Sequence, residues 1–224
     1  MILVAGGTKG GSGKTTIATT LAIMRADEGR DVLLIDADDQ ETASDFTILR
    51  NERQPGGAGY TSIKLTGSAV RTETQRLAGK YDDIIIDTGG RDTASQRAAL
   101  TVAEILLVPC LPRSFDIWTL EKVAQLVQDI RSVNPALQAY TFLNRADPAG
   151  PDNEEAAEVL REASELVFLA TPLIVRKAFG KAAAQGLAVT ELKPPDEKAI
   201  QEVRALFERV FQHHRTAKWS GHER

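Results

Sequence analysis

Cysteine is almost missing from this chain. One residue in 224, Cys110, excludes an internal disulfide framework and any metal centre built from several thiolates. Histidine is nearly as scarce. His213, His214 and His222 all stand at the C-terminal end, so the body of the chain has no imidazole for acid–base work. Long apolar runs are lacking too. The run from Ile105 to Leu111 falls far short of the roughly 20 residues a membrane-spanning helix needs. The opening MILVAGG has no basic residues ahead of its apolar ones, so it is not a secretory signal. A reducing cytoplasm is the expected compartment. Net charge is small, 27 Lys and Arg against 31 Asp and Glu, which excludes a strongly basic, constitutive nucleic-acid binder and leaves a conditional one open. With 42% hydrophobic and 26% charged residues, the composition is that of a globular domain long enough to bury a core.

The charge is unevenly spread. Between Asp147 and Glu165 seven acids (Asp147, Asp152, Glu154, Glu155, Glu158, Glu162, Glu165) face one base, Arg161, the pattern of a solvated helix face. From Leu166 onward ten bases outnumber six acids, and Arg176, Lys177 and Lys181 follow one another with no acid between them. Ordinary surface and a polyanion-binding face both fit that excess.

Short apolar runs alternate with segments of helical spacing. Strands are expected at Ile2–Ala5, Val32–Ile35, Tyr60–Leu65, Ile84–Ile86, Ile105–Val108 and Tyr140–Leu143. Helices are expected over Lys14–Glu28, Glu41–Arg53, Ser68–Gly79, Asp116–Ser132, Asn153–Ser164 and Pro195–Phe211. Continuously apolar strands between helices mean a parallel sheet covered on both faces. No repeat or linker divides the chain.

The first strand runs into Lys9-Gly10-Gly11-Ser12-Gly13-Lys14-Thr15-Thr16. Glycines there let backbone N–H groups converge on phosphate oxygens, and the following helix adds its partial positive charge. Lys14 supplies a point charge for the β- and γ-phosphates, and Thr15 a hydroxyl for Mg²⁺. The plain phosphate-loop spelling would place glycine where Thr8 stands, and a second lysine, Lys9, opens the loop instead.

That loop resembles the deviant Walker A sequence of the ParA/MinD family of partition and positioning ATPases. Two further motifs stand where the family has them: Asp36-Ala37-Asp38-Asp39-Gln40 after the second strand, with Asp39 in place of the family's proline, and Asp87-Thr88-Gly89-Gly90 after Ile84–Ile86. The resemblance implies an α/β single-domain P-loop NTPase with a mostly parallel twisted sheet flanked by helices on both faces. It would occupy 1–212 and be followed by a basic, histidine-containing tail over 213–224. It implies ATP and Mg²⁺ as cofactors, bound through Gly10, Gly11, Ser12, Gly13, Lys14, Thr15 and Thr16, with Thr15, Asp36 and Asp87 around the metal. Lys9, Lys14 and Asp38 become the catalytic set: Lys9 reaches the phosphates of a partner subunit, and Asp38 orients the attacking water. Asn144 and Pro172 would border the adenine.

By the same resemblance, the protein is expected to form an ATP-dependent sandwich homodimer on non-specific DNA. A centromere-binding or cargo adaptor would release it by stimulating hydrolysis, so segregating a plasmid or positioning another cargo. Arg176, Lys177, Lys181, Arg204 and Arg215 are the candidate DNA contacts, and a cytoplasmic, nucleoid-associated location follows. The match is to the short type without an N-terminal helix-turn-helix. Nitrogenase iron protein is set aside for want of a second cysteine, and the two-domain arsenite-pump ATPase because this chain carries one such loop. A metabolic ligase such as dethiobiotin synthetase lacks the lysine seen here as Lys9. MinD itself is the competing reading: Ile200, Val203, Leu206, Phe207, Val210 and Phe211 make an apolar stripe that suits either a membrane-surface helix or a core helix. Packing is favoured, because Glu202 and Glu208 dilute the basic face, so a membrane is not expected among the partners. Trp118 and Cys110 read as core, and Arg91-Asp92 as either an ion pair or part of a contact face.

Overall fold

A computed structural model describes residues 1–112, 117–149 and 151–219, without the side chains of 117–119 and 212–219. The chain runs β1 (Ile2–Ala5), α1 (Lys14–Asp27), β2 (Val32–Ala37), α2 (Thr42–Arg53), β3 (Thr61–Lys64), α3 (Ala69–Leu77), β4 (Asp83–Thr88), α4 (Ala94–Leu100), β5 (Ile105–Cys110), α5 (Ile117–Arg131), β6 (Gln138–Ala146), α6 (Asp152–Glu162), β7 (Val167–Phe168), β8 (Leu173–Ile174), α7 (Lys177–Ala183), a 3₁₀ turn (Val189–Glu191) and α8 (Glu197–Trp219). The expectations for Asp116, Trp118, Arg215 and the three histidines fall outside the described residues or side chains.

The strands form one eight-stranded sheet in the order β3-β2-β4-β1-β5-β6-β7, with β8 also on β6, and every pairing among the described residues is parallel. Both faces are covered because alternate residues of each strand point to opposite sides. Leu3, Leu34, Ile85, Leu107 and Phe142 meet α1, α7 and α8 on one face. Val4, Leu33, Ile35, Ile84, Ile86 and Leu106 meet α3, α4 and α5 on the other. β1 is central, and the strand order reverses there, so the carboxyl ends of β1, β2 and β4 open a crevice at the switch point of the sheet.

The structure adds four short strands and helices, and the 3₁₀ turn, to the expected set. β7 and β8 have two residues each, and α4 and α7 seven each, too short for a periodic signal. The acidic run becomes α6, whose first turn carries Asp152, Glu154 and Glu155 where negative charge meets the positive end of the helix dipole. α8 continues as helix past Phe211 to Trp219. Its apolar stripe is settled by burial: Val203, Leu206 and Val210 are fully enclosed, and Ile200, Phe207 and Phe211 nearly so. That face of α8 lies against the sheet. No described helix is long and apolar enough to cross a membrane.

One ion pair ties the far end of the sheet to α1. The Arg25 guanidinium donates to Asp83 through Nε at 2.7 Å and Nη2 at 2.6 Å, both residues are buried, and the ring of Phe211 lies 4.6 Å below the guanidinium carbon. Among the described residues, Arg25→Ala would leave the buried Asp83 carboxylate with only the amino terminus at 3.5 Å. The expected loss is about 3–5 kcal/mol of unfolding free energy, measured by denaturant titration, with the secondary structure retained.

Candidate functional site

The crevice is walled by three strand-end segments. From the β1–α1 loop come Gly10, Gly11, Gly13, Lys14, Thr15 and Thr16; from the β2–α2 loop Asp38, Asp39, Gln40 and Thr42; from the β4–α4 loop Gly89, Gly90, Arg91 and Thr93. Arg145 closes it from the end of β6, and the cleft encloses about 710 Å³. Gly11 and Gly13 have φ of 72° and 95°, the left-handed backbone that turns the loop into α1. A Cβ on Gly13 would lie 2.3 Å from the Asn144 amide nitrogen. That nitrogen donates to the Ser12 carbonyl at 2.7 Å, so Asn144 braces the loop from beneath. Asn144 is also the β-ladder partner of Leu173, which brings it beside Pro172, the exposed residue preceding β8.

Inside the crevice the charges are enclosed. Lys14 is 6% exposed and donates through Nζ to the Lys9 carbonyl at 2.9 Å, so the loop satisfies its own lysine. Burial lowers the Lys14 pKa, with Asp87 and Asp38 opposing the fall. Asp87 is fully buried, and among the described residues neither carboxylate oxygen meets a hydrogen-bond partner in good geometry. Burial pushes its pKa up to about 7; Asp36 and Asp38 push the same way, against the Thr15 hydroxyl and the Lys14 ammonium. A buried, unpartnered carboxylate between a threonine hydroxyl and two further aspartates is a donor set for a hard divalent cation, so the residues fit Mg²⁺. Thr15 and Asp87 would hold it, and the bound ion would screen charge on the phosphate oxygens.

Asp36 is engaged by the chain itself. It is the ladder neighbour of Asp87 and fully buried. Its Oδ2 accepts from the Ser44 backbone at 2.8 Å and the Ser44 hydroxyl at 2.7 Å, while Oδ1 accepts from the Asp38 backbone at 3.2 Å. The carboxylate therefore anchors the start of α2 and shapes the loop carrying Asp38. Asp38 accepts from the Gln40 backbone at 3.1 Å and lies against Gly89, so the β2–α2 and β4–α4 loops touch. Gly90 packs still closer to the loop: a Cβ there would lie 2.5 Å from the Gly10 backbone. Lys9 borders a small apolar pocket of about 30 Å³ on the β5 side, with Val108, Cys110 and Leu120. Burial pushes the Cys110 thiol up to about 11, which makes it a filler and no nucleophile.

Of the candidate DNA contacts, Lys177 and Lys181 are exposed on α7. Arg176 is held by Glu202, with Nη2 to Oε1 at 2.6 Å. Arg204 lines a groove with Asp27, Glu28 and Glu208. Asp92 pairs with Arg97 at 2.6 Å, whereas Arg91 lines the crevice.

Three participants had weak signals in the sequence. Gln96 on α4 is fully buried, and its Oε1 accepts from the Gly7 backbone at 3.3 Å and the Thr88 hydroxyl at 3.0 Å, bridging the loop and the β4 end. Ser44 and Arg145 are the others. Arg145 has φ 52° at a bulge between Asn144 and Ala146, one of two non-glycine residues with positive φ among those described. The other is Glu41, at the start of α2. Strain of this kind costs about 1–3 kcal/mol and persists where surroundings impose it.

Residues 3–189 match the family described as the CobQ/CobB/MinD/ParA nucleotide binding domain. The chain belongs to this family. Within it, the chain is 24% identical over 205 residues to the maintenance of carboxysome distribution protein A of Halothiobacillus neapolitanus, covering 91% of this chain and 93% of that one. In fold it is similar to a putative plasmid partition protein of Borrelia burgdorferi bound to AMPPNP, with TM-score 0.74, 18% identity and coverage of 95% and 98%. It is also similar to the cobyrinic acid a,c-diamide synthase of Mycobacterium smegmatis with a bound ATP analogue and magnesium, with TM-score 0.76, 18% identity and coverage of 96% of each chain. CobQ/CobB/MinD/ParA membership accounts for the loop, the strand-end aspartates and the all-parallel sheet together.

Asp87 makes nucleotide-free stability depend on pH. Its native pKa of about 7 exceeds the ordinary 3.8, so between those values the native state binds more protons than the unfolded chain. Its contribution is therefore full below about pH 4 and is lost as pH rises through about 7. Thermal melts are expected to show Asp87→Asn flattening this slope and exceeding wild-type stability above pH 7. Gly90→Ala is expected to lower nucleotide-free stability by about 1–3 kcal/mol, since backbone bounds the clash on the Gly10 side. A wild-type denaturation midpoint would show that the segment shifts freely.

Proposed function

We propose that the protein is an ATP-hydrolysing positioning switch of the ParA-like kind, cycling between a nucleotide-free monomer and an ATP-bound sandwich homodimer on non-specific DNA. The observation that carries this reading is the buried, unpartnered Asp87 beside Lys14 and Thr15, with Asp38 against Gly89 across the cleft. Phosphoryl transfer to water needs mainly positioned charge and a placed nucleophile, which is what this set offers. Lys14 must leave the Lys9 carbonyl to reach a phosphate. Asp38, on a loop that Asp36 and Gln40 shape, orients the attacking water. Lys9, which borders a pocket beside the loop, serves the partner subunit's nucleotide.

Similarity to a carboxysome distribution protein over 93% of that protein's length supports a positioning role, and a cargo adaptor that stimulates hydrolysis is the expected partner. DNA binding rests on joining two modest basic surfaces, because affinity climbs steeply with the number of phosphates neutralised. Burial of the α8 stripe weighs against the amphipathic-anchor alternative. A cytoplasmic, nucleoid-associated location follows.

The test compares binding to duplex DNA of arbitrary sequence with ATP, ADP and no nucleotide. Wild type is expected to bind with ATP alone, and Lys9→Ala to bind nucleotide without dimerising. Asp38→Ala should dimerise, hold DNA and hydrolyse about 100-fold more slowly, the scale of a lost proton-handling group. Equal binding with ADP, or brisk turnover by Asp38→Ala, would sink this reading.

A further inference from the structure

α2 connects the metal-side aspartate to the basic C-terminal segment. At its start, Ser44 is held by the Asp36 carboxylate through both backbone and hydroxyl. At its other end Arg50 is 5% exposed and gripped on three sides. Its Nη1 and Nη2 reach Glu191 at 2.8 and 2.9 Å, Nη1 also reaches the Gly186 carbonyl at 2.8 Å, and Nε reaches the Ala58 carbonyl at 2.8 Å. Gly186 approaches so closely that a Cβ would lie 2.8 Å from the Arg50 Cα. Six residues at about 1.5 Å each set these anchorages roughly 9 Å apart along α2, which runs one further turn to Arg53.

The last residue of α2, Arg53, is exposed and donates through Nη1 to the Ala184 carbonyl at 2.9 Å, at the carboxyl end of α7. Lys177 and Lys181 stand one turn apart on α7, and Ala184 follows three residues after Lys181, on the same side of the helix. Arg53 thus extends the line Lys177–Lys181 by one more cation. One guanidinium donor goes to Ala184, and the rest of the fork suits the paired oxygens of a phosphate. Arg176 and Arg204, committed to Glu202 and to an acidic groove, do not add to this line.

We propose that Arg53, Lys177 and Lys181 form the DNA-phosphate surface, and that the Arg50–Glu191 clasp makes this surface follow the nucleotide site through α2. This rests on the ATP-dependent DNA binding proposed above. Displacement of the Asp36–Ser44 anchorage would move α2 as a body, and the clasp and the Arg53–Ala184 bond would carry α7 with it. Coupling of this kind is a difference in DNA affinity between nucleotide states, so it is read as a ratio.

The experiment measures DNA affinity over a salt series with ATP and with ADP. Arg53→Ala is expected to keep nucleotide affinity and to lower the slope of log affinity against log salt by about 1 per subunit; an unchanged slope overturns its place in the surface. Glu191→Gln, isosteric with the native residue, is expected to keep nucleotide affinity while the ATP-over-ADP ratio falls toward one; a wild-type ratio overturns the clasp as the link. Should Glu191→Gln fail to fold, Arg50→Lys, which keeps the buried charge paired but loses the two-pronged grip, is read the same way. If wild type itself shows no ATP-dependent DNA binding, the proposed function falls. If wild type binds and the variants match it, that function stands and this surface and its coupling fall.

Discussion

An aspartate enclosed without a well-aligned hydrogen-bonding partner among the described residues sets the terms for the crevice around it. Asp87 opposes the fall in the Lys14 pKa, has Asp36 and Asp38 nearby, and holds a proton more strongly than an exposed acid does. Such an arrangement is poor for a structural core, where buried charge is paired or absent. It is sound for a site completed by a cation. The loop around it, by contrast, is self-satisfied: Lys14 rests on the Lys9 carbonyl, and Gly90 packs against the Gly10 backbone. Lys14 thus has a partner within the chain, whereas the Asp87 carboxylate suits a cation.

Much of the fold was legible in the sequence because the signals were local. Six strands announced themselves as short apolar runs, and the loop, Asp36, Asp38 and Asp87 announced themselves by their place at strand ends. What stayed hidden was of two kinds. Elements of two to seven residues carry no period, which concealed β7, β8, α4 and α7. Partners far apart in the chain leave no local mark. Arg25 meets Asp83 58 positions on, Gln96 reaches back 89 positions to Gly7, and Arg50 reaches forward 141 to Glu191. With Asp36, place and contacts come apart. Its motif puts it at a strand end, while only the neighbouring Ser44 reveals that its oxygens hold a helix.

The same contrast divides the basic residues. Counted along the chain, Arg176, Lys177, Lys181 and Arg204 look equivalent. In space, Glu202 claims the first, a rim of carboxylates surrounds the last, and the two lysines between them stay exposed. Arg53, remote in sequence and unremarked there, stands with those lysines because α2 ends where α7 ends. Surface charge is thus a property of the packing, and a net figure of −4 says little about any one face.

Asp36 and Asp87 are directly paired across adjacent parallel strands, and Ala5 of β1 is the next rung. The hydrogen-bond ladder is consequently the ruler by which the site is measured out. Side chains alternate along a strand, so a slip of one rung between β2 and β4 would turn an acid away from the crevice and bring an aliphatic neighbour toward it. The register of β2 against β4 thereby sets the spacing of the two carboxylates. Errors in that geometry come in whole steps, and the aliphatic packing of Ile35, Ile84 and Ile86 on one face and Leu34 and Ile85 on the other is what rejects them.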